Sequence, residues 1–587
     1  MSHKKLCTDP ALINHIEHNN TEFAGIWTKF NKLVDERRIS SIEISPELTK
    51  EERDLAESCY EKSLIHFTQI LNLKHKSNFS KDSWEYLIGP WMRVNTFSML
   101  VKWKFLSKVK NYKYILLHSF DNHQSIIPSD INNFHEQLYD FSCSNDLLFI
   151  MSKLIKIDEQ KINIKRSSDN KKSKKTTPFI TEVKSLKLSF LSFIYSTLEN
   201  IFYVFRFRKK IFLYKTMSPK SLPFLCLLKS GIFPDSSFND FNINKNNNFW
   251  IDFRLSQFNK LKPDETINFK DCINALLLLT IPQAYLEEFD TLSRVSESVF
   301  PETKKYSACI SSTAQWNNDV FKSWLMQSSE ENFDFYVWQH GGTYGTTNIQ
   351  THQEYLERKI SKNFFTWGWV RDDRKDKPFM RPIFLNKLQL RNFRTADKRI
   401  LIVLTRIKNF SKGDNWDTDK WNYDYINLIN TLCSNLSAIP NVKLVLRLNP
   451  GQIKDHFDYK GYIKRKFPDI EFDKCKTLDE SIKRSQLVIS TQNSTVFLKT
   501  LLTSTISLGI WNEELIPFSD NAKPLFDQLK KDKVFFNNPY HLSKKVLKIF
   551  SSERSLLEYK HQKPQKYFFK NFLRFNSKNI SACLKEI

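Results

Sequence analysis

At 587 residues the chain is too long for a single hydrophobic core, and its 41% hydrophobic and 14% aromatic content can fill two or more. A formal net charge of +25 suits an anionic partner surface, yet no nucleic-acid-binding motif accompanies it, which argues against nucleic acid as the partner. Nine scattered cysteines without a C-x-x-C pair argue against a zinc site or a disulfide framework and fit a reducing, cytoplasmic setting.

The N-terminal stretch holds no apolar core of signal-peptide length, and no run nears the ~18 apolar residues of a membrane span. Residues 1 to about 110 read as a mainly helical extension. Glu51 to Leu73 and Ser83 to Leu106 carry apolar residues at helical spacing, among them Trp84, Leu87, Trp91 and Trp103. Gly89-Pro90 is expected to interrupt the second. Tyr112 to His118 (YKYILLH) reads as a short buried strand, and residues 119 to 165 as helix mixed with polar loops. Asp169 to Thr177 (DNKKSKKTT) has nothing to bury and reads as a solvated loop. Ser185 to Tyr214 is rich in Leu, Phe, Ile and Tyr and carries Arg206-Phe207-Arg208-Lys209-Lys210 near its end. It reads equally as a buried helix with a basic cap or as an amphipathic element resting on an anionic membrane.

From about residue 270 the rhythm becomes regular. Ile273 to Thr280 is apolar, Pro282 to Arg294 reads as a helix, Tyr306 to Ser311 as a strand, Asn317 to Gln327 as a helix and Phe333 to Trp338 as a strand, which predicts a parallel sheet. Residues 371 to 397, charged and punctuated by proline, read as an inter-domain connection. Beyond them strands are expected at Arg399 to Leu404, Val442 to Leu448, Ile470 to Phe472, Leu487 to Ser490 and Thr505 to Ile510. Helices are expected at Trp421 to Leu436, Leu478 to Arg484, Thr495 to Leu502, Ala522 to Lys531 and His541 to Phe550. That is the pattern of a doubly wound α/β domain. The expected boundaries are 1–110, 111–395, 396–550 and a helical tail over 551–587.

Only 11 glycines occur in the chain, and Gly341, Gly342, Gly345 and Gly368 fall together between Phe333 and Trp369. Glycine gathers where φ must be positive or where another group must approach the backbone. Here an aromatic strand ends at Gln339-His340-Gly341-Gly342, with Tyr344 and Gly345 beyond. Open α/β sheets bind ligands at the carboxyl ends of their strands, where His340 falls. A tight turn with an ordinary surface histidine would explain a lone His beside a Gly pair; Gln, His, three Gly and Tyr within seven positions favour a site. In the last domain the same edge carries Thr405-Arg406, Arg447-Leu448-Asn449-Pro450-Gly451, Thr491-Gln492-Asn493-Ser494-Thr495 and Trp511-Asn512-Glu513. Hydroxyls and N–H groups at a helix start suit a phosphate, and Ser494 would also be the N-cap. Arg447 and Arg406 would neutralise a diphosphate, with surface salt bridges as the plainer alternative. No Walker A, G-x-G-x-x-G, H-E-x-x-H or G-x-S-x-G motif is present. Asp372-Asp373 lies in a charged loop, and no metal site is expected.

Several motifs together resemble transferases encoded in bacterial surface-polysaccharide (O-antigen) gene clusters, distant relatives of the CDP-glycerol glycerophosphotransferases and of GT-B glycosyltransferases. They are Leu71-Asn72 with His75, Ser83-Trp84, Gly89-Pro90-Trp91, Pro282 with Tyr285, Ser311-Ser312 and Phe321-Lys322 with Trp324. Further along come QHGG-x-YG (339–345), TWGW (366–369), Arg447-Leu448 with Pro450, Asn493-Ser494-Thr495, and Pro524-Leu525-Phe526 with Leu529. The resemblance implies a GT-B-like fold of two doubly wound domains facing across a cleft, acceptor side first and nucleotide-donor side second. By analogy with the His-Gly element of the glycerophosphotransferases, it implies that His340 is the base that deprotonates an acceptor hydroxyl, with Gln339 beside it. Gly341, Gly342, Tyr344 and Gly345 would form the acceptor-side loop. Arg406, Arg447, Asn449, Asn493, Ser494 and Thr495 would hold the phosphates of a CMP- or CDP-linked donor. No metal or other cofactor is required. The implied reaction moves a sugar or polyol phosphate onto a glycan or lipid-linked acceptor, at the inner face of the cytoplasmic membrane. Two residues depart from the family pattern: Lys499 where an acid is usual, and Lys362 where Asp is expected. A catalytically silent scaffold of a glycan assembly complex is the rival reading, supported by Lys499 and distinguished by nucleotide calorimetry.

Overall fold

Three parallel sheets carry the chain in a computed structural model. It describes residues 2–13, 21–30, 41–110, 112–117, 123–155, 159–161, 180–183, 210–215, 233–235, 240–243, 249–261, 267–300, 306, 308–331, 333–379, 398–414, 416–454, 458–503 and 505–552. The loop expected at 169–177 and the tail at 553–587 lie outside these residues.

The first sheet adds three short strands to an extension whose described residues are otherwise mainly helical, as expected. Its strands run in the order Ser41–Ile42, Thr21–Ala24, Ser2–Cys7, Tyr112–Leu117 and Glu159–Lys161. Leu6 pairs with Ile115 across more than a hundred residues, and both are buried. The first strand, SHKKLC, has too little alternation to announce itself; only the distant Tyr112 strand makes it one.

The two helices expected between these strands are present, as Lys50–His75 and Lys81–Val109. Thr49 and Glu52 form a capping box on the first, and Ser80 caps the second. Gly89-Pro90 does not break the second helix, which runs through Pro90. Interior proline costs about 3 kcal/mol in an exposed helix. This helix is buried on nearly every face (Trp84, Leu87, Trp91, Met92 and Val94 are all fully buried), so packing outweighs that cost. A Cβ on Gly89 would stand 3.2 Å from the Tyr60 hydroxyl, a close approach between the two helices that only glycine leaves relaxed.

The second sheet orders its strands Phe233–Asp235, Lys210–Tyr214, Ala308–Ser311, Asp334–Trp338, Phe364–Thr366 and Asp376–Pro378, all parallel. Two expectations change here. The last five residues of the Ser185 to Tyr214 segment are an interior strand, its residues 185–209 lying outside the description; and Asp376–Pro378, expected within a connection, is an edge strand. The helix expected over Pro282 to Arg294 is a short 3-10 turn, Gln283–Tyr285, followed by the helix Phe289–Val299.

The third sheet matches the sequence expectation closely. Its order is Glu471–Phe472, Lys443–Arg447, Arg399–Val403, Leu487–Ser490, Ile506–Ile510 and Phe535–Phe536. Its chain-first strand is central, and the winding reverses between Arg399–Val403 and Leu487–Ser490, so a crevice opens beyond Val403 and Ser490. The arrangement of the second and third sheets is GT-B-like, with the loop after Asp334–Trp338 meeting the edge of the third sheet. There Thr347 bridges Phe518, and Ser519 Oγ donates to the Gly345 carbonyl at 2.7 Å. Among the described residues no helix is long and apolar enough to cross a membrane.

Candidate active site

The Asp334–Trp338 strand is buried along Phe335 to Trp338, and its apolar register delivers Gln339 and His340 to the carboxyl edge. Gln339 ties the two aromatic-glycine motifs into one unit. Its side-chain oxygen accepts from Trp367 N–H (2.9 Å) and Trp369 Nε1 (2.8 Å), its amide nitrogen donates to the Gly341 carbonyl (2.7 Å), and its own carbonyl accepts from Trp367 Nε1 (2.8 Å). Fully buried and engaged at both ends, it is a positioning residue, which corrects the expectation of a catalytic one.

Gly342 and Gly345 need to be glycine. A Cβ on Gly342 would stand 2.6 Å from the Thr495 backbone, and its N–H donates to Thr495 Oγ1 at 2.9 Å. Gly345 has φ +72° and packs against the Trp369 indole where a side chain would be. The loop is thereby pressed onto the first turn of the Thr495–Leu501 helix.

The His340 side chain is 14% exposed. Burial pushes its pKa down to about 4 against the opposing pull of the Ser312 carbonyl, so the ring is neutral at pH 7. Nε2 lies 3.4 Å from the Tyr344 hydroxyl, and Nδ1 lies 3.6 Å from Glu357 Oε1. Glu357 is fully buried, and its Oε1 accepts from Gln315 Nε2 at 2.8 Å. Burial holds this carboxyl well above the usual range, outweighing the Gln315 and Tyr344 hydrogen bonds. One helical turn earlier, Glu354 is pushed up to about 7 by burial, which overcomes the Arg371 charge and the Gly345 N–H bond. The histidine thus has a buried carboxyl, its proton favoured by burial, behind it and a phenol beside it. Glu354, Glu357 and Gln315 escaped the sequence reading because Glu-x-x-Glu in HQEYLERKI looks like a solvated helix face.

The residues expected to hold the donor divide. Arg447 is bonded to Asp473 and, at 3.1 Å, to the Cys475 carbonyl. Burial alone would raise Asp473, but hydrogen bonds from Ser481, Arg447 and Arg399 hold it well below the usual carboxylate range. Arg447 is therefore a structural ion pair, not a free cation. Asn449 closes its own turn, accepting from Gly451 N–H at 2.9 Å. Asn493 is fully buried and donates to Thr346 Oγ1 at 2.8 Å, and Thr495 is taken by Gly342. These four serve the junction and the sheet. Ser494 is the N-cap residue but makes no side-chain cap bond.

Arg406 stands at the crevice, its guanidinium 4.4 Å from the centre of the Tyr139 ring. Two cations absent from the sequence reading accompany it. Lys408 lies 5.2 Å from the same ring and pairs with Asp417 (3.3 Å), and Lys412 pairs with Asp414 (2.8 Å). Lys412 also acts on buried His135, whose ring stacks on Trp316, the neighbour of Gln315. The loop Thr405 to Asp417 (TRIKNFSKGDNWD) carries the signal, cations at short intervals after a strand, that would have found them. The two departures are structural. Lys499 pairs with Asp479, and half-exposed Lys362 lies 2.6 Å from Asp334 Oδ2.

Doubly wound sheets meeting at their carboxyl edges, with a neutral histidine at the seam, define an α/β protein whose two sheets join at that edge. The chain belongs to the LIC12162 family of transferases, whose model matches residues 7–586. No curated protein sequence matches it significantly. Among solved structures it is similar to TarM, with 10% identity, 50% of this chain covered and a TM-score of 0.33; the chain spans 57% of TarM's own length. It is also similar to the Methanocaldococcus jannaschii UDP-GlcNAc 2-epimerase in complex with UDP-GlcNAc and UDP, with 11% identity, 64% and 98% of the two chains covered and a TM-score of 0.33. Acinetobacter baumannii MurG is another, with 9% identity, 65% and 99% covered and a TM-score of 0.28.

Proposed function

We propose that this transferase moves a sugar or polyol phosphate from a nucleotide-activated donor to a hydroxyl of a surface-glycan acceptor, with His340 as the base. The observation that carries the reading is the seam itself. A neutral imidazole at the second sheet's edge is fixed, two residues on, to the third sheet's hydroxyl-rich turn by the 2.9 Å bond from Gly342 to Thr495.

In this reading His340 Nε2 accepts the hydroxyl proton as the acceptor oxygen bonds to the sugar carbon or the phosphorus. The donor's bond to its nucleoside phosphate breaks, and the leaving oxygen takes the electron pair. Glu357, 3.6 Å from Nδ1, places a buried carboxyl behind the ring. Arg406 supplies positive charge for the leaving phosphate, and Ser494 contributes a hydroxyl; Lys408 and Lys412, paired with Asp417 and Asp414, shape the loop that carries Arg406, and Arg447, Asn449 and Asn493 keep the edge in shape. The +25 net charge supports an acceptor held at an anionic membrane face.

The test pairs calorimetry with CMP, CDP and UDP against transfer assayed with the matching labelled donors. His340→Ala is expected to abolish transfer while keeping nucleotide affinity. Wild-type turnover in that variant removes His340 from the mechanism, and failure of the wild type to bind any of the three nucleotides ends the donor reading.

A further inference from the structure

A buried cation without a counter-charge lies away from this seam. Lys102, on the Lys81–Val109 helix, is 4% exposed, and its ammonium makes one hydrogen bond, to Ser98 Oγ at 2.9 Å. An ammonium carries three donors. No carboxylate among the described residues forms an ion pair with it; Asp417 attracts it only at longer range, and the centre of the Phe410 ring stands 5.3 Å away. Burial pushes its pKa down to about 8. An unpaired buried ammonium is costly, and proteins answer that cost by losing the proton or by supplying a counter-ion.

The geometry allows the second answer. Lys102 lines a cavity of about 30 Å³ shared with Asn95, Ser98, Gln137, Ser144 and Thr280, where four helices and a turn converge. A space of ~10–15 Å³ already holds a water, so this one has room for a single small ion. Asn95 already donates to Thr280 Oγ1 at 2.9 Å, and Gln137 to the Ser125 carbonyl at 3.2 Å. Among the described residues Lys102 is the only lysine or arginine on the wall, and no Asp or Glu lines it. A carboxylate there would have completed an internal ion pair; its absence leaves room and charge for an external one.

We propose that this cavity binds one small monovalent anion, of halide or formate size, against the Lys102 ammonium and the hydroxyls of Ser98 and Ser144. The inference is independent of the transfer reading.

Crystals of the full chain soaked in sodium bromide test it. The expected result is an anomalous peak at ion-pair distance from Lys102 Nζ. Crystals of Lys102→Met, an unbranched replacement of similar length, should lose that peak and keep the surface bromides. In solution, replacing gluconate by chloride at constant ionic strength should raise the wild-type unfolding temperature by about 1 °C per tenfold anion above its Kd, and leave Lys102→Met unmoved. Lys102→Gln serves in the same comparison if the methionine variant does not fold. A cavity holding only water, a peak with no chloride effect in solution, or an equal shift in the variants overturns the proposal.

Discussion

Gln339→Leu is the perturbation on which the site's architecture is most exposed to test. The side chain makes three hydrogen bonds at 2.7–2.9 Å in a fully buried setting. Leucine keeps the volume and strands the Trp367 N–H, the Trp369 indole N–H and the Gly341 carbonyl. Each stranded buried group costs about 1–3 kcal/mol, so the variant should lose about 3–6 kcal/mol, allowing for partial relaxation. Urea unfolding followed by tryptophan fluorescence reads this directly, because Trp367 and Trp369 are the groups released. Gln339→Glu, which keeps the acceptor and can donate only when protonated, should fall between wild type and leucine. A leucine variant within ~1 kcal/mol of wild type that nonetheless transfers nothing would refute the positioning role and return Gln339 to the chemistry.

Other expectations follow from the same geometry. Burial holds the folded Glu354 pKa up to about 7, against 4.5 for an unperturbed glutamate, so its contribution is fully present below about 4.5 and fades as pH rises through 7. Glu354→Gln holds the neutral form throughout, and its unfolding temperature relative to wild type should climb between pH 5 and 8; a constant difference would show that the carboxyl ionises normally. Arg447→Met should lower stability by about 1–3 kcal/mol, since Asp473 keeps Arg399, while nucleotide affinity by calorimetry stays unchanged. Arg406→Met should weaken nucleotide binding by about tenfold, the worth of one charge-assisted hydrogen bond; unchanged affinity would move the donor phosphates elsewhere.

Sequence alone determined five of the last sheet's six strands and five of its helices to within a few residues, and missed the edge strand Phe535–Phe536 and the helix Tyr459–Lys466. Apolar runs such as RILIV and LVIS are bounded by polar turns and buried on both faces, so there burial and pattern coincide. It also determined that His340 ends a strand inside a glycine cluster. Tertiary structure decided the rest. The first strand exists because Leu6 finds Ile115, and Pro90 is tolerated because the helix around it is buried almost all round, neither of which a local window contains. Side-chain roles were decided the same way. A hydroxyl, amide or guanidinium at a strand end looks alike whether it faces substrate or a neighbour. Asp473 made Arg447 structural, Thr346 took up Asn493, and burial, against the Gln315 hydrogen bond, held the Glu357 carboxyl beside His340 well above the usual range. Which polar groups remain for a ligand depends on which partners the fold brings within hydrogen-bond distance, and that is a property of three dimensions.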